Sequence, residues 1–232
     1  MTAIDARAGL AARVWAALAT VRDPELDQPV TELGFVAAVS VEDGKARVRL
    51  RLPTYFCAPN FAYLMVADAD DAVRGVPGVS EVEVLLVDHF AAEEINEGVA
   101  GASGFAGSFP GQATGELDEL RRTFRKKAHL ACLERAARKL VDQGWHIDEL
   151  THVQLADLPD SPERASLVRR RAELGLPVDD HAHLFTDDDG SPADAKTVGQ
   201  RLRFAKAVRV SVDGNAAFCR GLLTTRYPEE TP

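Results

Sequence analysis

Cysteine is scarce in this chain, which has three of them, Cys57, Cys132 and Cys219. They are odd in number, far apart and free of any CxxC pairing, which argues against a disulfide framework and for a reducing, cytoplasmic setting. Long apolar runs are missing too: no stretch approaches the ~20 residues of a membrane span. The start, "MTAIDARAGLAARVWAALATV", carries Asp5 and lacks the charged-then-apolar layout of a secretion signal. Basic charge is also in deficit, with 27 Lys and Arg against 36 Asp and Glu and a formal net charge of -9. That balance argues against a general nucleic-acid binder and fits a protein that meets another protein or a cation. What remains is ordinary globular composition, 46% hydrophobic and 27% charged over 232 residues, enough for one large domain or two small ones.

The first third has a readable order. Leu10, Val14, Leu18 and Val21 fall at helical spacing, with Thr2 and Asp5 as a cap at the start. In "RDPEL", Asp23 suits an N-cap and Pro24 the first position of a short helix that Gly34 closes. "FVAAVSVEDGKARVRLRL" then reads as a hairpin turning at Asp43-Gly44. In its second arm Ala46, Val48, Leu50 and Leu52 alternate with Arg47, Arg49 and Arg51, one face apolar and the other wet. A helix starting at Pro59 follows, with Phe61, Leu64, Met65, Ala69, Ala72 and Val73 as its buried stripe. After "GVPGV", the segment "SEVEVLLVDH" is a third strand, apolar enough to be central. Helix, hairpin, helix and strand make an α+β domain with helices on one sheet face, over residues 1–97.

Residues 98–115, "GVAGASGFAGSFPGQATG", hold six glycines without periodicity and read as a Gly-rich flexible linker in which Phe105 and Phe109 are unexpected. Residues 116–232 read as a second, mixed α/β domain that binds a partner or client. It comprises a long charged helix ("ELDELRRTFRKKAHLACLERAARKLVDQG"), a strand ("THVQLADL"), a helix opened by Ser161-Pro162, an extended "HAHLF" and a helix near "ADAKTVGQRLRFAKA". A closing hairpin is expected where Val208, Val210 and Val212 alternate before Asp213-Gly214.

The chemistry concentrates in "RLPTYFCAPNFAYLM", where Cys57 falls between a strand and the helix at Pro59. Unpaired backbone N–H groups and the positive end of the helix dipole stabilise a thiolate at such a place, the form that attacks electrophiles or binds metal. The competing reading is a small buried hydrophobe, the commonest fate of a free cysteine. Elsewhere, His181 and His183 in "DDHAHLF" lie two apart, so that on a strand both would face one way and, with Asp179 or Asp180, offer a second metal site. His129 and Cys132 stand at helical spacing and read as a partly buried face. "RRTFRKK" and "VRRRAEL" read as solvated helix faces.

The first third, from "VWAALATVRDPELDQPVTELGFVAAVSVEDGKARVRLRLPTYFCAPNFAYLM" to "GVPGVSEVEVLLV", resembles the MIP18-like (PaaD/SufT-like) family of iron-sulfur cluster assembly proteins. The likeness lies in the ordered set: Asp-Pro-Glu, Leu-Gly, hairpin, Thr, Cys, helix, Pro-Gly-Val turn and last strand, over roughly residues 8 to 90. It implies a functional cluster of Asp23, Glu25, Thr54 and Cys57. The chain departs from the family at Pro53, where a first Thr is usual, and at Ala58, where Pro usually follows the cysteine.

Grouping these residues makes physical sense only with a cation present, because two carboxylates beside a thiolate repel it. One thiolate with oxygen donors suits weakly held Fe(II), whereas a cluster normally takes about four cysteines. The expectation is therefore a cytoplasmic, non-enzymatic maturation factor carrying iron or an Fe–S unit transiently on Cys57, with Asp23 and Glu25 sharing the metal and Thr54 supporting the sulfur. Its implied partners are a client metalloenzyme, by family analogy a component of a multicomponent di-iron monooxygenase, and a second copy of itself as a homodimer. Asp23 as a plain helix cap and Glu25 as a dipole partner remain open. So do two other functions: a metal-independent assembly chaperone for an oxygenase, and a thiol enzyme with Cys57 as nucleophile and His89 as base.

Overall fold

The computed structural model describes residues 3–113 and 117–228, with side chains described from residue 9 onward. The expected cap by Thr2 and Asp5 lies outside the described residues and side chains. The chain divides into two units, one formed by Met1–Glu119 with Asn215–Pro232 and the other by Leu120–Gly214.

The first unit is α+β. Its sheet takes β1 (Val36–Glu42), β2 (Lys45–Arg51) and β3 (Glu81–Val87) in the order β1-β2-β3. Asp43 and Gly44 both adopt positive φ, 49° and 83°, the conformation a two-residue hairpin turn requires, and β1 pairs antiparallel with β2. β3 instead lies parallel to β2, from Lys45↔Glu81 to Arg51↔Val87. The expected central strand is thus an edge strand, and β2 takes the centre. Parallel neighbours need a long crossover, supplied here by helix α2 (Pro59–Arg74).

The alternation of β2 reads correctly on its apolar side: Ala46, Val48, Leu50 and Leu52 are buried. Helix α1 (Ala3–Leu18) adds Val14 and Leu18, and α2 adds Ala62, Met65, Val66, Ala69 and Val73 to the same core. On the wet face Lys45 and Arg47 pair with Glu81 and Glu83 of β3, exposed contacts worth a few tenths of a kcal/mol each. Arg51 departs from the pattern and is buried, because the ring of Tyr227 stacks 4.5 Å from its guanidinium carbon.

The glycine-rich segment does not run as a free spacer. Helix α3 (Ala92–Ala100) and the short α4 (Gly104–Ser108) fold back on the first unit. Phe105 packs edge-on against Tyr63 at 5.5 Å and against Phe109 at 4.9 Å, and Phe109 is buried in the main core. Gly98 shows what these glycines are for: a Cβ there would meet Ser108 Oγ at 1.8 Å, so the close approach of α3 and α4 requires its absence.

The second unit is helical among the described residues. It holds most of α5 (Asp118–Asp142), α6 (Pro162–Leu174) and the first part of α7 (Ala195–Arg226). Ser161 caps α6 as expected, its Oγ accepting from Arg164 N, and Gly175 closes it in the left-handed conformation. The strand expected at 151–158 is instead a pair of 3-10 turns, Glu149–Thr151 and Leu155–Asp157, linked to His183 by one isolated bridge at Gln154. The fully buried Arg171 holds the following loop, donating to the carbonyls of Pro177 and His183.

The closing hairpin expected at 208–223 is also absent. Asp213 and Gly214 lie inside the 32-residue helix α7, where Asp213 pairs with Arg209 one turn earlier and with Arg135. From Asn215 onward the helix belongs to the first unit, burying Ala216 and Leu223 in its core.

Phe109→Ala is expected to lower the stability of the first unit by about 3 kcal/mol, read as a shift of its urea transition. A change below about 0.5 kcal/mol, the usual size for a surface substitution, would mean that this segment is not packed.

Candidate functional site

Because β2 and β3 run parallel, the chain leaves both at the same end of the sheet. After β2 comes the loop carrying Thr54 and Cys57, and after β3 the turn carrying Asp88 and His89. Two hydrogen bonds join them. Phe90 N donates to Tyr55 O at 3.0 Å, and His89 Nε2 lies 2.7 Å from Cys57 O.

The His89 ring is buried, and its Nδ1 accepts from Ala91 N at 3.2 Å. Nε2 is therefore the protonated nitrogen that donates to the Cys57 carbonyl, the neutral tautomer. Burial lowers the ring's pKa, against the pull of that carbonyl. With both nitrogens committed to backbone, His89 fixes the Cys57 loop and has no free lone pair for the thiol. This removes the base that the thiol-enzyme reading requires.

Cys57 is half-buried and sits two residues before Pro59, the first residue of α2. No side chain caps that helix. The Thr54 hydroxyl lies 3.0 Å from the Cys57 sulfur, so the expected supporting contact is present. Tyr55, Phe56 and Phe90 beside it are exposed aromatics.

Asp23 reaches this end from the loop after α1. It caps, but the expected short helix is only a tight turn: Asp23 Oδ1 accepts from the N–H groups of Glu25 and Leu26, both at 2.8 Å. The carboxyl is 7% exposed, and burial pushes its pKa up to about 6 against those two N–H groups, with neighbouring Glu25 adding to the rise. A plain surface cap would carry no such penalty.

The remaining member is Cys219, on α7. Burial pushes its thiol up to about 11, and the Asp23 carboxylate, the Cys57 sulfur and the Glu25 carboxylate each push it further in that direction. Cys219 therefore stands within electrostatic reach of the three outer members of the expected cluster. Around it, Asn215 Nδ2 donates to Glu25 Oε1 at 3.3 Å and Arg220 Nη1 to Gln28 Oε1 at 2.5 Å. Arg226 donates to the carbonyls of Leu52 at 3.1 Å and Asp88 at 2.5 Å. Tyr227 Oη donates to Asp88 Oδ2 at 3.0 Å.

Sequence reasoning missed Cys219 because Val208, Val210 and Val212 read as a strand. The helical spacing of Asn215, Cys219, Leu223 and Tyr227 was the available signal. Among the described residues no group of three or more His, Cys, Asp or Glu side chains stands ready to hold a metal ion. His181 lies exposed in a turn and His183 at an isolated bridge, so the strand that was to align them is not there.

These features define a small α+β domain with a thiol loop at the shared end of two parallel strands. A family model described as iron-sulfur cluster assembly protein matches residues 11–85. Uncharacterized protein MJ1129 of Methanocaldococcus jannaschii is 33% identical over 82 residues, which is 35% of this chain and 84% of that protein. Through its N-terminal part the chain belongs to the MIP18-type iron-sulfur cluster assembly family. No helix among the described residues is long and apolar enough to cross a membrane.

The buried carboxyl sets a pH dependence. Asp23's folded pKa is raised from 3.8 to about 6, so its contribution to stability is full below about pH 4, falls as pH rises to about 6, and stays lost above. Asp23→Asn keeps the oxygen that accepts from Glu25 and Leu26. It is expected to stabilise the protein by about 1–3 kcal/mol near neutral pH and to do little below pH 4. Urea denaturation across that range checks this, and a less stable variant near neutral pH would contradict it.

Proposed function

We propose that this protein is an accessory maturation factor that carries iron, or a nascent iron-sulfur unit, transiently on the Cys57 thiolate and passes it to a client metalloenzyme. The observation that carries this reading is the setting of Cys57 in an iron-sulfur assembly domain: a hydroxyl at 3.0 Å from the sulfur, with the buried Asp23 carboxyl and Glu25 gathered at the same end. A buried carboxyl next to thiols is costly without a cation and is relieved by one. The iron is cargo rather than a resident cofactor, and one thiolate with oxygen donors, which holds Fe(II) weakly, suits a load that must leave.

The exposed rings of Tyr55, Phe56 and Phe90 beside the sulfur support a handover through direct contact with the client. We read the second unit, which lies outside the family match, as the part that selects that client. A component of a multicomponent di-iron monooxygenase is the client proposed, on family analogy. The cytoplasm is the compartment proposed, since a thiolate carrier needs a reducing environment.

Anaerobic titration with Fe(II), with and without sulfide, tests the reading. The wild type is expected to bind stoichiometrically and Cys57→Ala to lose that binding. Equal binding by both would remove iron from Cys57. No binding by either would leave a metal-independent chaperone as the better account.

A further inference from the structure

The second unit has a cavity of its own, about 260 Å³ in volume, whose lining residues all fall within Leu120–Gly214. One wall is a single face of α5, on which Arg122, Lys126, His129, Leu130 and Leu133 recur at three- and four-residue steps. Polarity changes along that face. The cations stand at one end and Leu133 lies about 16 Å further along the axis, with His129 between them. The opposite walls repeat the division. Asp187, Asp188 and Arg201 meet the charged end, where Lys126 Nζ lies 2.5 Å from Asp188 Oδ2. Leu174, Leu176, Phe185 and Phe204 supply apolar surface.

These walls are held by contacts of their own. Arg201 donates to the Thr186 carbonyl at 3.2 Å and pairs with Asp187. A Cβ on Gly190 would meet Pro177 Cδ at 2.7 Å, so the loop after Phe185 presses directly on the segment that leaves α6. Arg171 grips the Pro177 carbonyl from the other side. The cavity is thus formed by the fold itself, as binding sites for small molecules usually are.

Two of its polar groups lack partners. Among the described residues Arg122 makes no hydrogen bond or ion pair, because Asp188, the carboxylate that feels its charge, is taken by Lys126. His129 has no hydrogen bond either: its Nε2 is sealed from solvent, which leaves Nδ1 as the nitrogen on the open side of the ring. Burial, with Arg171 acting in the same direction, holds the ring's pKa down to about 4 against the pull of Asp188, so at neutral pH the ring is uncharged. The lining therefore carries three cations against two carboxylates, one positive charge in excess.

We propose that this cavity binds a small organic acid, a singly charged carboxylate with an apolar body, whose carboxylate meets Arg122 and His129 while its body lies along Leu130 and Leu133. One spare positive charge matches a monoanion, whereas a phosphate ester would bring a second charge with nothing to balance it. A volume just below the usual range for drug-sized ligands calls for a small molecule. A mere packing void would be lined by apolar groups alone. The site lies outside the family match and stands independently of the carrier reading.

Calorimetric titration of the full-length protein with hexanoate and with benzoate tests the site. 1-Hexanol and benzyl alcohol serve as uncharged counterparts and phenyl phosphate as a dianion. The expected result is one acid per chain, bound at least about tenfold more tightly than its alcohol, the worth of one charge-assisted hydrogen bond. Arg122→Ala, at an exposed position in a helix, should weaken the acid about tenfold and leave the alcohol unchanged. Lys127→Ala removes the same charge from a position outside the lining and should cost less than about twofold. Phe204→Ala, whose side chain is exposed, should weaken acid and alcohol alike, by about threefold or more.

Absence of saturable binding by either acid would overturn the proposal. So would an alcohol that binds as tightly as its acid, phenyl phosphate binding more tightly than benzoate, or equal losses in Arg122→Ala and Lys127→Ala. None of these outcomes alters the iron titration, so the two readings fail separately.

Discussion

The parallel pairing of β2 with β3 is the constraint on which the candidate site depends. An antiparallel third strand would carry its loop to the opposite end of the sheet. In parallel register, with Arg51 opposite Val87, the two strands end side by side, and the loops of Cys57 and His89 must meet. The crossover that permits this is α2, whose first residue, Pro59, follows Cys57 by two. The cysteine thus stands where a crossover helix leaves a parallel strand, the end of such sheets at which ligands are commonly bound. His89 then ties the two loops through backbone alone, donating to the Cys57 carbonyl and accepting from Ala91.

A second set of contacts is laid over that end by the last three turns of α7. Asn215 and Arg220 engage the Asp23–Gln28 loop, and Arg226 and Tyr227 engage the ends of β2 and β3. Arg51, which the strand pattern assigns to solvent, is buried because Tyr227 lies on its guanidinium. A buried guanidinium is costly unless its hydrogen bonds are met. Here the stacked ring excludes water while the guanidinium Nε lies 3.5 Å from the Gly34 carbonyl, at the outer limit of a hydrogen bond.

What could be read from the sequence was what local rules control. The Asp43-Gly44 turn, the alternation in β2, the Pro59 helix start and the Ser161 cap all depend on residues within a few positions of one another, and each is present. The failures share a different cause. Val208, Val210 and Val212 alternate as a strand would, but Arg209 and Asp213, one helical turn apart, form an ion pair that only a helix allows. The glycines of 98–115 read as flexibility because the packing that needs them, Gly98 against Ser108, is a tertiary fact. The centrality of β3 was inferred from its apolarity, whereas α2 and α3 cover an edge strand well enough to require the same composition. Of the site, Asp23, Glu25, Thr54 and Cys57 were legible through family likeness. Cys219 was not, since nothing local links it to residues roughly 160 and 190 positions away.

The electrostatics of this end suit the transient cargo proposed for it. A permanent metal centre is usually closed by several converging ligands whose charges its ion already balances. Here Asp23 is held from water with its pKa raised, Cys219 is held protonated by burial and by carboxylates, and among the described residues no three ligands converge. Each perturbation disfavours negative charge in the empty protein, and each reverses sign when a cation arrives. On the carrier reading, loading would relieve the unfavourable desolvation of the Asp23 carboxyl and the Cys219 thiol, and unloading would restore it. Part of the binding free energy is spent in that way, which weakens the hold on the cargo relative to a closed cage built from the same donors. For a carrier of the kind proposed, that weakness is the useful property.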